Sequence, residues 1–222
     1  MQESLAMKSY IAFFDLDHTM LDTSSGRLFI KYAYRHGVIS HRELLSGITI
    51  SMMHRFGLLN SVEIFDKWAL KFSGWPEIKM RDFTESFFSE VAVGHMRPSI
   101  VQEVNFHREK GALTVILSAS MVYMCEPLRR HLSLDECLCT TLEVHNGLFT
   151  GKVNGKYCYG PEKLNRARAY CAAMGIPLDK CFYYADSPAD LPVLEMVGTP
   201  VCVSPRYDLR RIAHRHNWRI IP

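Results

Sequence analysis

Tyr10-Ile11-Ala12-Phe13-Phe14-Asp15-Leu16-Asp17-His18-Thr19 opens with an apolar, aromatic run that stops on one acid and meets a second two positions on. Such a run, with no polar alternation, reads as a buried strand, and side chains two apart project to one side of an extended chain. Three more runs end the same way: Leu113–Leu117 at Ser118, Cys181–Ala185 at Asp186, and Pro200–Val203 at Ser204-Pro205. Helical stretches separate them. The pattern predicts an α/β fold, a Rossmann-like three-layer parallel sheet whose polar strand tips share one rim.

About 95 residues lie between the first two runs, far more than a usual βα connection, and they read as helical throughout. Ser24 or Ser25 caps a first helix carrying Phe29, Tyr32 and Ala33, and Ser40-x-x-Glu43 is a capping box ahead of Leu44, Leu45 and Ile48. Ser61 caps a third helix with Ile64, Phe65, Trp68 and Phe72 at helical spacing; Pro76 starts a fourth with Met80, Phe83, Phe87 and Phe88. The expected division is a core of residues 1–22 and 97–222 with a small all-helical cap domain over 23–96, the chain returning to the sheet at Arg97-Pro98. Further on, a helix is expected from about Met121 to His131, and Leu142–Val153 alternates around Asn146-Gly147 as a hairpin.

The 222 residues are 48% apolar and aromatic and 22% charged, a globular balance that argues against a disordered or fibrous chain. A net charge of +3 is too mild to announce a nucleic-acid binder, and the basic stretch Arg206–Arg219 reads as a solvated terminal helix. Seven cysteines, an odd number without a CxxC pair, indicate reduced thiols and a cytoplasmic protein. The first ten residues carry no apolar secretory core, and no apolar stretch approaches the roughly 18–20 residues of a membrane span.

Chemistry concentrates at the strand tips. Asp15 and Asp17 crowd two carboxylates together, which is costly unless a hard cation such as Mg²⁺ or a shared proton relieves it. Asp186-Ser187-Pro188-Ala189-Asp190 follows another tip, with Ser187 as cap, Pro188 as first helical residue and Asp190 facing the same rim. Lys163 falls in the first turn of a helix after Gly160-Pro161, where the helix dipole disfavours a cation; neutralising crowded carboxylate and phosphate charge would explain it. Ser118 supplies a hydroxyl at a strand-to-helix turn, a ready phosphate cradle.

Taken in order, Phe13-Phe14-Asp15-Leu16-Asp17-His18-Thr19, Leu117-Ser118, Lys163 and Ala185-Asp186-Ser187-Pro188-Ala189-Asp190 resemble the four motifs of the haloacid dehalogenase-like hydrolases, in the phosphoserine-phosphatase-like branch with a helical cap after the first motif. The resemblance implies a Mg²⁺-dependent phosphomonoesterase acting on a small organic phosphate, with no nucleic-acid partner. Asp15 would be the nucleophile that becomes an aspartyl-phosphate, and Asp17 the general acid and base. Asp15, the Asp17 main-chain carbonyl and Asp186 would hold the metal, Asp190 would support them, and Thr19, Ser118, Ala119 and Lys163 would hold the phosphate. The sequence departs from the branch at His18, at Ala185, and at Ser118-Ala119-Ser120 in place of Ser-Gly-Gly, which puts phosphoserine itself in doubt. Asp22, Ser24, Ser25, Arg27, His54 and Arg55 are candidates to select the leaving group. Two alternatives stand beside this reading: a phosphatase for a (lyso)phospholipid-type phosphate, and a non-catalytic phosphoacceptor module.

Overall fold

The computed structural model describes residues 8–46, 49 and 61–222, with the backbone alone described over 61–64. His54 and Arg55 lie outside the described residues. Strand β1 (Ile11–Phe14) is wholly buried, as an uninterrupted apolar run must be when both of its edges and both of its faces are covered. It pairs in parallel with β2 (Leu113–Met121) on one side and β6 (Phe182–Ala185) on the other. With β3 (Glu136–Thr140), β7 (Thr199–Val203) and β8 (Arg219–Ile221) the parallel sheet runs β3-β2-β1-β6-β7-β8. The chain starts in the middle and winds outward in both directions, which opens a crevice beyond the carboxyl ends of β1 and β6.

Alternation along the strands divides the core. Ala12, Phe14, Ile116, Tyr184 and Val201 face one layer, which includes Ile100 and Val104 of α4 (Pro98–Glu109) and Leu128 of α5 (Val122–His131). Ile11, Phe13, Val115, Tyr183 and Cys202 face the other, which includes Ala167 and Cys171 of α6 (Pro161–Met174) and Leu209 and Ala213 of α8 (Tyr207–His216). The short α7 (Leu191–Leu194) follows β6 and adds Val193 and Leu194 to this second layer. Three layers result, as the pattern of apolar runs predicts. Among the described residues no helix is long and apolar enough to cross a membrane.

The described residues between β1 and α4 are mainly helical: α1 (Ser25–Arg35), residues 41–46, α2 (Ser61–Ala69) and α3 (Glu77–Glu90). Ser24 is the cap of α1, its hydroxyl accepting from Arg27 N at 3.4 Å. Ser40 and Glu43 form the reciprocal box, with Ser40 N donating to Glu43 Oε2 at 2.9 Å and Glu43 N to Ser40 Oγ at 3.3 Å. Phe29 meets the edges of Phe83 and Phe87 at 5.6 Å each, and these residues continue the first of the two apolar layers. Two chain crossings join this helical stretch to the sheet side by side, through Asp22 N to His95 O (2.9 Å) and Arg97 N to Met20 O (2.8 Å).

The hairpin β4 (Leu142–His145) and β5 (Leu148–Val153) turns at Asn146 (φ 49°) and Gly147 (φ 76°), two left-handed residues of the kind a tight two-residue turn needs. It joins the helical stretch by backbone bonds: Phe149 N to Trp75 O at 2.9 Å, Gly74 N to Phe149 O at 2.8 Å and Glu77 N to Gly147 O at 2.9 Å. Three features differ from the sequence expectation. β3 and β8 extend the sheet beyond the four anticipated strands, and Pro76, expected in the first turn of α3, is its cap, one residue ahead of that turn. β2 continues past Ser118 to Met121 through a register shift against β3, so Ser118 sits in an irregular strand and not in a turn.

Candidate active site

Asp15 is the first residue beyond β1, and its N–H donates to Tyr184 O of β6 at 2.9 Å, which carries the strand pairing up to the tip. The single turn at Leu16–Met20 is interrupted by extended dihedrals at Asp17 and by a left-handed His18 (φ 58°). Left-handed backbone favours glycine, so a His there carries a modest strain of the kind found at functional loops.

Helix α6 brings Lys163 under this loop. Its ammonium, almost wholly buried, donates to Asp15 Oδ1 at 2.8 Å and to Asp190 Oδ1 at 2.6 Å, with the Tyr183 hydroxyl 3.1 Å away. Tyr183 in turn donates to Asp190 Oδ1 at 2.7 Å. Ser187 accepts from Ala189 N at 3.3 Å and Pro188 opens the turn, which places Asp190 on the rim as its capping sequence suggests. Carboxylate oxygens of Asp15, Asp186 and Asp190 come within 4.8 Å of one another. The Asp17 carboxylate is held elsewhere, by Ser25 N on Oδ1 at 2.7 Å and Ser120 Oγ on Oδ2 at 3.2 Å.

Electrostatics follow from that crowding. Burial, reinforced by Asp190 and offset by Lys163, pushes the Asp15 carboxyl up to about 7. Burial, with Asp15 and Asp190 adding to it, pushes Asp186 up to about 8. Burial alone would lower Lys163, but Asp15 and Asp190 outweigh it and hold the ammonium well above its ordinary range. Asp15 and Asp190 thus share one buried cation, with Asp186 crowded against them and unpaired to it. Hard oxygen donors so short of positive charge fit a divalent cation such as Mg²⁺ better than a soft metal.

Of the other residues singled out in the sequence, Ser118 and Ala119 line the same cleft, Ser118 accepting from Ser120 N at 3.3 Å and Ala119 O from Thr140 at 2.9 Å. Thr19 is fully buried, and its hydroxyl finds no hydrogen-bond partner among the described residues. Ser24, Ser25 and Arg27 line the cleft, whereas Asp22 pairs with His95 at 2.8 Å and does not. Sequence reasoning missed Tyr183, the part played by Ser120, and Arg97. The buried Nε of Arg97, a residue lining the cleft with Asp15 and Asp17, also has no hydrogen-bond partner among the described residues. The cleft measures about 910 Å³ and runs from the strand tips into the helical stretch.

Comparison with known proteins agrees with this geometry. A probable phosphatase of Mycobacterium tuberculosis is 30% identical over 223 residues, covering 95% of this chain and 74% of that protein. A protein of unknown function from Bordetella pertussis shares the fold with a TM-score of 0.89 at 24% identity, covering 97% of this chain and 99% of that one. The structure of a phospho-aspartyl intermediate analogue of phosphoserine phosphatase shares it with a TM-score of 0.68 at 18% identity, covering 96% and 92%. Residues 12–195 match the family model of the haloacid dehalogenase-like hydrolases, a span that takes in the three strand-tip motifs and Lys163, and the chain belongs to that family.

Proposed function

We propose that the chain is a Mg²⁺-dependent phosphomonoesterase that hydrolyses a small organic phosphate through an aspartyl-phosphate. The observation that carries this reading is the pair of differently furnished carboxylates: Asp15 held by the Lys163 ammonium, and Asp17 held by the neutral donors Ser25 N and Ser120 Oγ. Two acids in unlike settings suit two roles. An Asp15 oxygen would attack phosphorus and the ester P–O bond would break, with Asp17 passing its proton to the departing alkoxide. Asp17 would then take a proton from water as that water attacks the aspartyl-phosphate, releasing inorganic phosphate and restoring Asp15. Ser120 and Ser25 N would orient Asp17 for both transfers.

Lys163 would favour the ionised form of Asp15 against its burial and hold it in place, and Asp190 with Tyr183 would fix the ammonium. Ser118, which lines the cleft, would hold phosphoryl oxygens; Thr19, expected to join it, is fully buried and off the cleft lining, so its hydroxyl would reach the phosphate only if the Leu16–Met20 turn shifted. Asp15, the Asp17 main-chain carbonyl and Asp186 would hold Mg²⁺, which when bound supplies the positive charge that lets anionic nucleophile and phosphate approach. Residues 23–96 would act as the cap domain on a core of 1–22 and 97–222. Seven cysteines without a disulfide support a reducing, cytoplasmic setting.

The test is release of inorganic phosphate from a panel of phosphomonoesters by wild type and Asp15→Asn, each with Mg²⁺ and with EDTA. Turnover that needs both Asp15 and the metal is expected. Turnover by Asp15→Asn at the wild-type rate would overturn the covalent route, and no turnover of any ester by folded wild type would overturn the phosphatase reading.

A further inference from the structure

One wall of the cleft is a continuous series of aromatic rings. Tyr159 and Tyr157 lie parallel (5.8 Å, 10°), Tyr157 stacks on Phe65 (4.5 Å, 22°), and Phe65 leads to Trp68 at 5.8 Å. Trp68 stands edge-on to Phe72 (4.5 Å, 78°), and Phe72 edge-on to Trp75 (5.7 Å, 83°). All six line the cleft. The series begins beside Gly160 and Pro161, the start of the helix that carries Lys163, and climbs into the helical stretch, so it connects the reacting centre with the far end of the cleft. Phe65, Trp68, Trp75 and Tyr157 are only half-buried, leaving ring surface turned to the open space.

The polar furniture of the same space does not suit an amino acid. Outside the strand-tip cluster, Glu43 is the one carboxylate lining the cleft among the described residues. It already accepts from Ser40 N and Oγ and lies 3.6 Å from the Lys71 ammonium. Among the described residues, the cleft offers a substrate ammonium no unpaired carboxylate outside the strand-tip cluster. The volume of about 910 Å³ falls at the upper end of the roughly 300–1,000 Å³ that encloses a drug-sized ligand, and far exceeds what a three-carbon alcohol fills.

Resting on the phosphomonoesterase reading above, we propose that the preferred substrate is the phosphomonoester of an alcohol bearing a planar aromatic ring, which lies against the Tyr157–Phe65–Trp68 wall while the phosphate sits at the strand tips. Ring-on-ring contact, stacked or edge to face, adds attraction that an aliphatic group of equal area does not gain. This contact would be made equally before and during reaction, so it lowers KM more than it raises kcat.

A set of primary alkyl phosphates tests this, because their leaving alcohols have similar acidity and differ mainly in what they place on the wall. The set is ethyl, 2-cyclohexylethyl and 2-phenylethyl phosphate, with phosphoserine alongside. For 2-phenylethyl phosphate kcat/KM is expected to exceed that of ethyl phosphate by about 10-fold or more, mostly through KM, and to exceed that of the cyclohexyl ester. In Phe65→Leu and Trp68→Leu the ratio of phenylethyl to ethyl should shrink to about 3-fold or less. A flat series, equal phenyl and cyclohexyl esters, or a preference for phosphoserine would overturn the ring proposal and leave the phosphatase reading standing. If no ester turns over, that reading fails, and calorimetric binding of 2-phenylethylphosphonate against ethylphosphonate decides the ring proposal alone: tighter binding by about 10-fold supports it, and equal binding overturns it.

Discussion

The Lys163 ammonium lies 2.8 Å from Asp15 Oδ1, joining helix α6 to the tip of β1 across 148 residues of sequence. Both side chains are nearly sealed from solvent, and Asp190 makes the pair a triad. Replacing Lys163 by Met would leave two buried carboxylates without their cation. The expected cost is about 3–5 kcal/mol of stability, the usual penalty for breaking a buried ion pair from one side. Urea unfolding of Lys163→Met checks it; a midpoint unchanged from wild type would contradict the burial of the pair.

Ser120 has a separate duty. Its hydroxyl is 3.2 Å from Asp17 Oδ2 and 3.1 Å from Ser25 Oγ. Ser120→Ala is expected to lower kcat by about 10-fold by loosening Asp17, against a loss of about 10²–10⁴ for Asp17→Asn. Single-turnover kinetics with a good leaving group, such as p-nitrophenolate, should shrink the Asp17→Asn defect in the first step, because that group departs without a proton. A defect equal for good and poor leaving groups would argue against Asp17 as the acid.

His107 predicts a pH effect far from the reaction. Its Nδ1 is 2.9 Å from the Tyr10 hydroxyl and its Nε2 2.8 Å from that of Tyr184, which donates to Glu103 at 2.6 Å. Burial lowers the imidazole from its ordinary 6.5 to about 4. Between those values the unfolded chain holds a proton that the folded chain refuses, so this residue's contribution to stability is lost as pH falls from about 6.5 to about 4. The difference in Tm between wild type and His107→Gln should therefore narrow across that window. A difference independent of pH would contradict it.

Arg97 sets stability against binding. A buried donor without an acceptor costs about 1–3 kcal/mol, so Arg97→Met should unfold at a higher temperature than wild type in the absence of anions. Added inorganic phosphate should raise the wild-type Tm more than that of the variant. Equal shifts would show that Arg97 does not meet the anion.

Much of this was readable from the chain. Phe14-Asp15, Ala185-Asp186 and Val203-Ser204 announced their strand tips because central parallel strands are apolar on both faces and stop abruptly where ligands bind. Lys163 drew notice because a cation opposes the dipole at the start of α6. β8, three residues following a basic helix, and β3, with its exposed Glu136, lack the continuous apolar run that marks a central strand. Tyr183 and Tyr184 are indistinguishable as a dipeptide; only the alternation of the strand sends Tyr183 towards Lys163 and Tyr184 towards His107. The aromatic wall was half visible, since the helical spacing of Phe65, Trp68 and Phe72 reads as an apolar face, but Tyr157 joins it from 85 residues beyond Phe72.

The β4–β5 hairpin changes what the helical stretch can do mechanically. A plate fixed along one line swings like a door, and the paired crossings at Leu21 and Met96 alone would define such a line. The bonds from Trp75 to Phe149 and from Glu77 to Gly147 add an anchor away from that line. Gly151 tightens it: a methyl group there would come within 3.0 Å of Ser73 Cβ and 3.3 Å of Leu70 Cα. Rotation of the whole plate would have to break these backbone bonds, whereas side chains and turns at the mouth of the cleft can yield and admit a ligand to Asp15 without doing so.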